Sequence, residues 1–261
     1  MQHFVSNIDP VLITLGPISI HWYGVLFASA ILAGLQYMKF VFKNESQPEE
    51  ALDNLLIYVV VGIVVGARLG HCLFYDPEFY LANPLKILAI WEGGLASHGG
   101  GLGAIIGAYL YCKKSKFSFL WMLDRLAIAT ALFGIFVRTA NFVNAEIIGK
   151  PSDVPWAVVF SKVDNLARHP AQLYEAVAYL GIFFVLHFLY KRSALSSKQG
   201  LLFGCFLVLV FTARIVIEFF KQQQAAYSTE LVLNTGQLLS IPFMLVGVAL
   251  ILMAKKAEDK G

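Results

Sequence analysis

Charge is what this sequence has least of. Asp, Glu, Lys and Arg make up 14% of its 261 residues, where a soluble globular domain carries about a quarter. With 58% hydrophobic residues and a mean hydropathy of +0.67, that scarcity excludes an ordinary water-soluble domain. Cysteine is scarce too. Cys72, Cys112 and Cys205 fall in or at the ends of apolar runs and read as small buried hydrophobes. No Cys/His spacing resembles a metal site. The chain also lacks an internal repeat, a low-complexity tract and a composition break that would mark a second domain. Its net charge of +3 is spread through loops and does not suggest nucleic acid as a partner.

What is present is a series of long apolar runs. A helix needs about 20 apolar residues to cross a bilayer. Seven runs of roughly that length lie near 15–39, 51–74, 94–112, 118–137, 170–190, 200–220 and 236–254. The expected fold is therefore an all-α integral membrane protein: one polytopic domain of seven transmembrane helices, with a small outer cap segment over 138–169. The first run is too long and too aromatic for a cleaved signal peptide, and no basic stretch precedes it, so it is expected to be a retained span. Lys39, Lys43, Lys113, Lys114, Lys116, Lys191, Arg192, Lys198, Lys255, Lys256 and Lys260 all fall to one side of this topology. The other side holds fewer: Lys86, Arg138, Lys150, Lys162, Arg168 and Lys221. The positive-inside bias then puts the N-terminus outside and the C-terminus in the cytoplasm.

Polar residues in or beside such runs are costly and usually face a cavity or a partner. The uncharged run 126–137 is followed by Arg138, Asn141, Phe142, Asn144, Glu146 and Gly149. Helical spacing puts Arg138 and Asn141 on one face, with Gly149 ending the segment. Taken alone, the string reads equally well as an arginine snorkelling at a helix end with capping asparagines. Arg68 stands among Gly62, Gly66 and Gly70, whose spacing lets another helix come close. A structural ion pair with a carboxylate is the favoured reading of that arginine. His98 lies between Gly93-Gly94 and Gly99-Gly100-Gly101, a backbone suited to close approach, and neutral imidazole can take a proton near pH 7. Asp124-Arg125 reads as a local pair at a helix end. Arg168-His169-Pro170-Ala171-Gln172-Leu173-Tyr174-Glu175 opens the fifth run, with Gln172 and Glu175 facing the same way. Arg214 and Glu218, four apart, can pair on one helix face.

Together these strings resemble the prolipoprotein diacylglyceryl transferase family. Its pattern Gly-Arg-x-x-Asn-Phe-x-Asn-x-Glu-x-x-Gly is matched at Arg138, Asn141, Phe142, Asn144, Glu146 and Gly149, with Val137 in place of the first glycine. The glycine-rich string around His98, the Arg168–Glu175 string and Arg214-x-x-x-Glu218-Phe219-Phe220 follow in the family's order. His21-Trp22-Tyr23-Gly24 near the first span is similar as well, which makes Tyr23 a candidate site residue. Val210 stands where the family often has tyrosine.

The resemblance implies transfer of diacylglyceryl from phosphatidylglycerol to the lipobox cysteine of a prolipoprotein in the bacterial inner membrane. A thioether forms and glycerol phosphate leaves. It implies His98, Arg138 and Arg214 as catalytic residues. His98 is the candidate base for the thiol, and the arginines grip phosphate oxygens in forked geometry. Tyr23, Asn141, Asn144, Glu146, Gly149, His169, Glu175 and Glu218 are the implied lipid-binding residues. The asparagines would donate to phosphate or ester oxygens, and the glutamates would orient the arginines. The expected partners are phosphatidylglycerol, lipobox peptides and membrane lipids, with no cofactor or metal. A small-solute transporter or channel is the competing class, since glycine-broken spans with intramembrane arginines can also line a path.

Overall fold

The computed structural model describes residues 3–222 and 235–258. Lys260, among the C-terminal cations named above, lies outside the described residues. Three short strands, β1 (Phe4–Ser6), β2 (Val11–Leu15) and β3 (Ile18–His21), precede α1 (Trp22–Asn44) and α2 (Glu50–Phe74). A short helix α3 (Pro77–Ala82) and two 3-10 turns lead to α4 (Ser97–Lys114) and α5 (Phe119–Val143). Strands β4 (Val158–Phe160) and β5 (Ala167–Arg168) come next, then α6 (Ala171–Lys191), the single turn α7 (Ser193–Ser196), α8 (Leu201–Glu218) and α9 (Thr235–Glu258).

The fold is mostly helical, and the short strands correct the all-α expectation. Residues 15–21, expected at the start of the first span, turn at Gly16 (φ 60°) and form β3 antiparallel to β2. The sequence reason is local. Gly16-Pro17 breaks a helix, and Ile18-Ser19-Ile20-His21 alternates with period two. The second sheet has the order β1-β4-β5, with β1 parallel to β4 and β4 antiparallel to β5. It contains part of the expected cap segment.

Five helices among the described residues, α1, α2, α5, α6 and α8, are long and apolar enough to cross a membrane. Outward-facing Leu32, Ile57, Leu102, Phe184 and Leu245 are 59–65% exposed, which suits a lipid solvent rather than water. The two other expected spans are also helical. In α4 the apolar content is diluted by glycine, and in α9 the apolar part is the shorter stretch Ser240–Lys255, with Pro242 inside the helix.

The chain divides into two compact units, residues 38–123 and residues 1–37 with 124–261. In the first, α2 lies directly on α4. A Cβ at Gly103 would collide with the Gly62 carbonyl and one at Gly99 with the Gly66 carbonyl, so these backbones touch. With lipid on the outside, such van der Waals contact replaces the hydrophobic effect as the packing force. Arg68, 3% exposed, corrects the expected ion pair. It donates to the backbone carbonyls of Lys86 (2.5 Å), Ile87 (2.9 Å), Gly93 (2.5 Å) and Gly94 (3.2 Å) and lies over the Tyr80 ring. It thereby staples the loop before α4.

In the second unit α8 packs on α6 and α9, with Leu186 and Leu202 fully buried. Asp124 also departs from its local reading. Fully buried, it accepts hydrogen bonds from the Gly200 (2.7 Å) and Phe203 (2.8 Å) amides, so it caps the start of α8 from 76 residues away. Arg125 stands 3.7 Å from the same carboxylate.

The α2–α4 contact predicts a contrast between neighbouring glycines. Gly103→Val should cost at least about 1–3 kcal/mol by overpacking and lower the thermal midpoint of the detergent-solubilised protein. Gly101→Val, where a Cβ meets open space, should leave it nearly unchanged. Equal midpoints would refute the contact.

Candidate functional site

The site begins where α5 ends. Arg138 and Asn141 share a helix face, as their spacing requires, and Arg138 Nη1 donates to Asn141 Oδ1 at 3.2 Å. Asn141, 4% exposed, donates to Glu146 Oε2 at 2.9 Å, and Asn144 donates to Glu146 Oε1 at 3.2 Å. One carboxylate thus gathers both amides. It holds a turn in which Ala145 and Ile147 both adopt φ 54°, a left-handed conformation that non-glycine residues resist. Tyr23, at the start of α1, lies within electrostatic reach of Glu146 and Arg138.

Behind Arg138 stands Glu175 of α6, with its side chain 6% exposed. Its Oε2 is 3.0 Å from Arg138 Nε, and its Oε1 accepts from Lys221 Nζ at 2.7 Å. Lys221 also reaches Glu218 at 3.5 Å. Glu218 is therefore paired with Lys221 and not with Arg214 four residues earlier. Among the described residues Arg214 has no carboxylate at ion-pair distance. Its side chain instead lines a pocket together with Arg138, Glu175, Tyr179, Val210 and apolar residues of α6 and α8. Two guanidiniums therefore share one pocket, and among the described residues only Arg138 is neutralised by a carboxylate. Such a pocket favours an anion with several oxygens.

Below this pocket the chain is clasped. Gly149 donates its amide to the His169 carbonyl at 3.1 Å and forms a bridge with Lys221. A Cβ at Gly149 would strike the His169 backbone and come within 2.9 Å of the Phe220 carbonyl, so glycine is required there by close approach. Arg168, 5% exposed, is bonded to the Asp164 carboxylate, the Gly149 carbonyl (3.1 Å) and Gln222 Oε1 (3.1 Å). His169 Nδ1 lies 2.9 Å from the Tyr174 hydroxyl, which accepts from Trp156 Nε1 at 2.7 Å.

Of the residues proposed from sequence, Tyr23, Arg138, Asn141, Asn144, Glu146, Gly149, His169, Glu175, Arg214 and Glu218 all belong to the 1–37 and 124–261 unit. Arg138, Glu175 and Arg214 line the pocket itself. The donors of Asn141 and Asn144 go to Glu146 rather than outward. His98 sits in the first turn of α4, in the other unit, and its side chain lies outside the described part of the structure. Two residues escaped the sequence reading. Lys221 carried a signal, since it stands three residues after Glu218 in the same string. Tyr179 is four after Glu175 and so shares its helix face.

Fold and site define a multi-pass membrane protein whose half-buried cationic pocket, built on α5, α6 and α8, suits an anionic head group. Residues 10–253 match the family described as prolipoprotein diacylglyceryl transferase. A protein of Tolumonas auensis named phosphatidylglycerol–prolipoprotein diacylglyceryl transferase is 53% identical over 97% of this chain and 98% of its own length. Proteins of the same name from Chloroherpeton thalassium and Rhodospirillum rubrum are 46% and 38% identical, each over 96% of this chain and 94% of their own length. The chain belongs to the prolipoprotein diacylglyceryl transferase family.

The clasp carries a pH dependence of definite sign. Burial holds the His169 imidazole below its ordinary value of 6.5. The unfolded chain then takes up the proton first as pH falls. This contribution to stability is complete above 6.5 and is lost on descent through 6.5 towards the lower folded value. The Arg168 hydrogen bonds hold the Asp164 carboxyl below 3.8, so its contribution persists to more acid pH and is lost only on passing below that value. Hydrogen exchange of the Gly149 and His169 amides, corrected for intrinsic rate, should show protection falling between about pH 7 and about pH 5. His169→Gln should flatten that dependence. An unchanged slope in the variant would contradict the assignment.

Proposed function

We propose that this protein transfers the diacylglyceryl group of phosphatidylglycerol to the thiol of a prolipoprotein lipobox cysteine. The observation that carries the reading is the pair of guanidiniums, Arg138 from α5 and Arg214 from α8, facing one partly apolar pocket. The phosphodiester of phosphatidylglycerol is an oxygen-rich anion attached to apolar chains, and it matches both characters of that pocket.

In the proposed reaction the cysteine sulfur attacks the diacylglyceryl carbon that bears the phosphate. The C–S thioether bond forms, the C–O bond to phosphate breaks, and glycerol phosphate leaves with the bonding electron pair. The leaving group gains negative charge. Arg138 and Arg214 stabilise it as forked donors in a site shielded from water, where fixed cations act most strongly. Glu175 holds Arg138 in place, and Glu146 with Asn141 and Asn144 fixes the turn beside it. Tyr23 and Gly149 complete the lipid-binding wall, and His169 with Glu218 braces it from the clasp. The thiol proton goes to His98 as general base, since the thiolate is the reactive form.

The protein is proposed to span the bacterial inner membrane seven times. The helices α4 and α9 join the five apolar spans, the N-terminus and the segment 138–169 lie on the outer side, and the C-terminus is in the cytoplasm. The distribution of lysine and arginine supports this orientation. A cysteine placed at Ser152 should then react with an impermeant thiol reagent in cells whose outer barrier has been opened, while one at Ser197 stays unlabelled. The opposite labelling pattern would reverse the topology.

Transfer itself is measured as the mass gain of a lipobox peptide incubated with phosphatidylglycerol and purified protein. Arg138→Lys and Arg214→Lys should each insert normally yet lose most turnover, because lysine keeps charge but not bidentate geometry. Near-normal turnover in both would remove the clamp. His98→Gln should lose about a hundredfold or more, and the deficit should shrink as pH rises and the thiol ionises unaided near its free pKa of about 8.5. A pH-independent ratio would argue against the base role.

A further inference from the structure

The pocket holds a hydroxyl for which the proposed reaction has so far named no use. Tyr179 of α6 lines it beside Arg138, Arg214 and Val210. Its position is built in. The ring stacks so closely on α5 that a Cβ at Gly134 would fall 2.7 Å from two ring carbons, so only glycine admits it. Glu175, one turn earlier, and Tyr179 share the helix face that carries Ala178 and Ile182 to the same pocket. Tyr179 thus shares the pocket wall with the Arg138 and Arg214 guanidiniums and the Glu175 carboxylate.

A guanidinium has donors only, so towards Arg138 or Arg214 the phenol oxygen can serve only as an acceptor. The phenol proton is then left for a third group. Anything bound between the two arginines is an oxygen acceptor by the same charge logic. Val210 matters here as well. It stands in the pocket wall without a hydroxyl, and among the lining residues the phenol comes from Tyr179 of α6.

We infer that Tyr179 is a substrate-contacting residue that donates its hydroxyl proton to a phosphate or ester oxygen of the diacylglyceryl donor lying between Arg138 and Arg214. The inference rests on the transferase reading above. It makes the anion site three-membered, with two charged forks and one neutral donor. The neutral donor adds directional stabilisation without a further buried charge.

The test compares purified Tyr179→Phe with the parent for transfer from phosphatidylglycerol to a lipobox peptide. The parent's own transfer, run alongside, reports on the transferase reading separately. Tyr179→Phe keeps the ring on Gly134 and should keep insertion and thermal midpoint. Loss of one hydrogen bond to a charged group should lower turnover about tenfold to a hundredfold. Full turnover would overturn the inference. A second variant separates contact with substrate from mere bracing of Arg138. Replacing Tyr179 by 3-fluorotyrosine makes the phenol a better donor and a poorer acceptor. If the proton goes to the substrate, turnover is maintained or raised at a pH where the phenol stays neutral. If the hydroxyl only accepts from Arg138, turnover falls towards that of Tyr179→Phe, and the contact with substrate is refuted.

Discussion

One carboxylate organises the site. Glu175 comes from α6, its two oxygens are divided between Arg138 of α5 and Lys221 beyond α8, and its side chain is almost wholly buried. A buried arginine or lysine is costly unless compensated, and two of them near each other are worse. Glu175 compensates both. Lys221 adds Glu218, and Arg138 adds Asn141, through which the network reaches Glu146 and the strained turn at 145–147. The Lys221 backbone meanwhile bridges to Gly149, whose neighbourhood is too tight for any side chain. Arg138 is thus aimed by a cluster of charges rather than by helix packing alone.

That arrangement leaves Arg214 as the odd cation. It lines the pocket without a carboxylate at ion-pair distance among the described residues. A guanidinium left in this state is stabilised most by an anion arriving from outside the chain, and the proposed phosphodiester supplies one. Preorganised cations act best where charge develops during reaction. The pocket lining is mixed. Ala178, Ile182, Ala213 and Ile217 line it beside the charged groups and give the apolar surface that the proposed diacylglyceryl donor would need.

Much of this could be read from the residues in order. Apolar runs located every long helix among the described residues, because a span needs only length and composition. The i, i+3 spacing of Arg138 and Asn141 placed them on one helix face, where they are hydrogen-bonded. What the sequence hid were bonds made across large separations or to the backbone. Asp124 looked like a local helix-end residue because its acceptor role is to amides 76 and 79 positions away. Arg68 suggested a carboxylate partner because reading side chains does not count peptide carbonyls, and four of those hold it. Glu218 and Arg214 had ideal spacing for a pair, yet Lys221 took the carboxylate. Ile18–His21 disappeared into the first apolar run, since four alternating residues are too few to stand out beside a 23-residue helix.

The most direct test of the central role of Glu175 is a thermal-unfolding comparison of the detergent-solubilised parent, Glu175→Gln, and Glu175→Gln combined with Lys221→Met. Breaking a buried pair by removing one partner typically costs about 3–5 kcal/mol, because the other charge is left uncompensated. Glu175→Gln should therefore lower the midpoint markedly, and adding Lys221→Met should recover part of the loss by removing an ammonium that the single variant leaves with only its looser 3.5 Å contact with Glu218. If Glu175→Gln unfolds at the parent's midpoint, or if the double variant is less stable than the single one, the shared carboxylate is not what holds the site together.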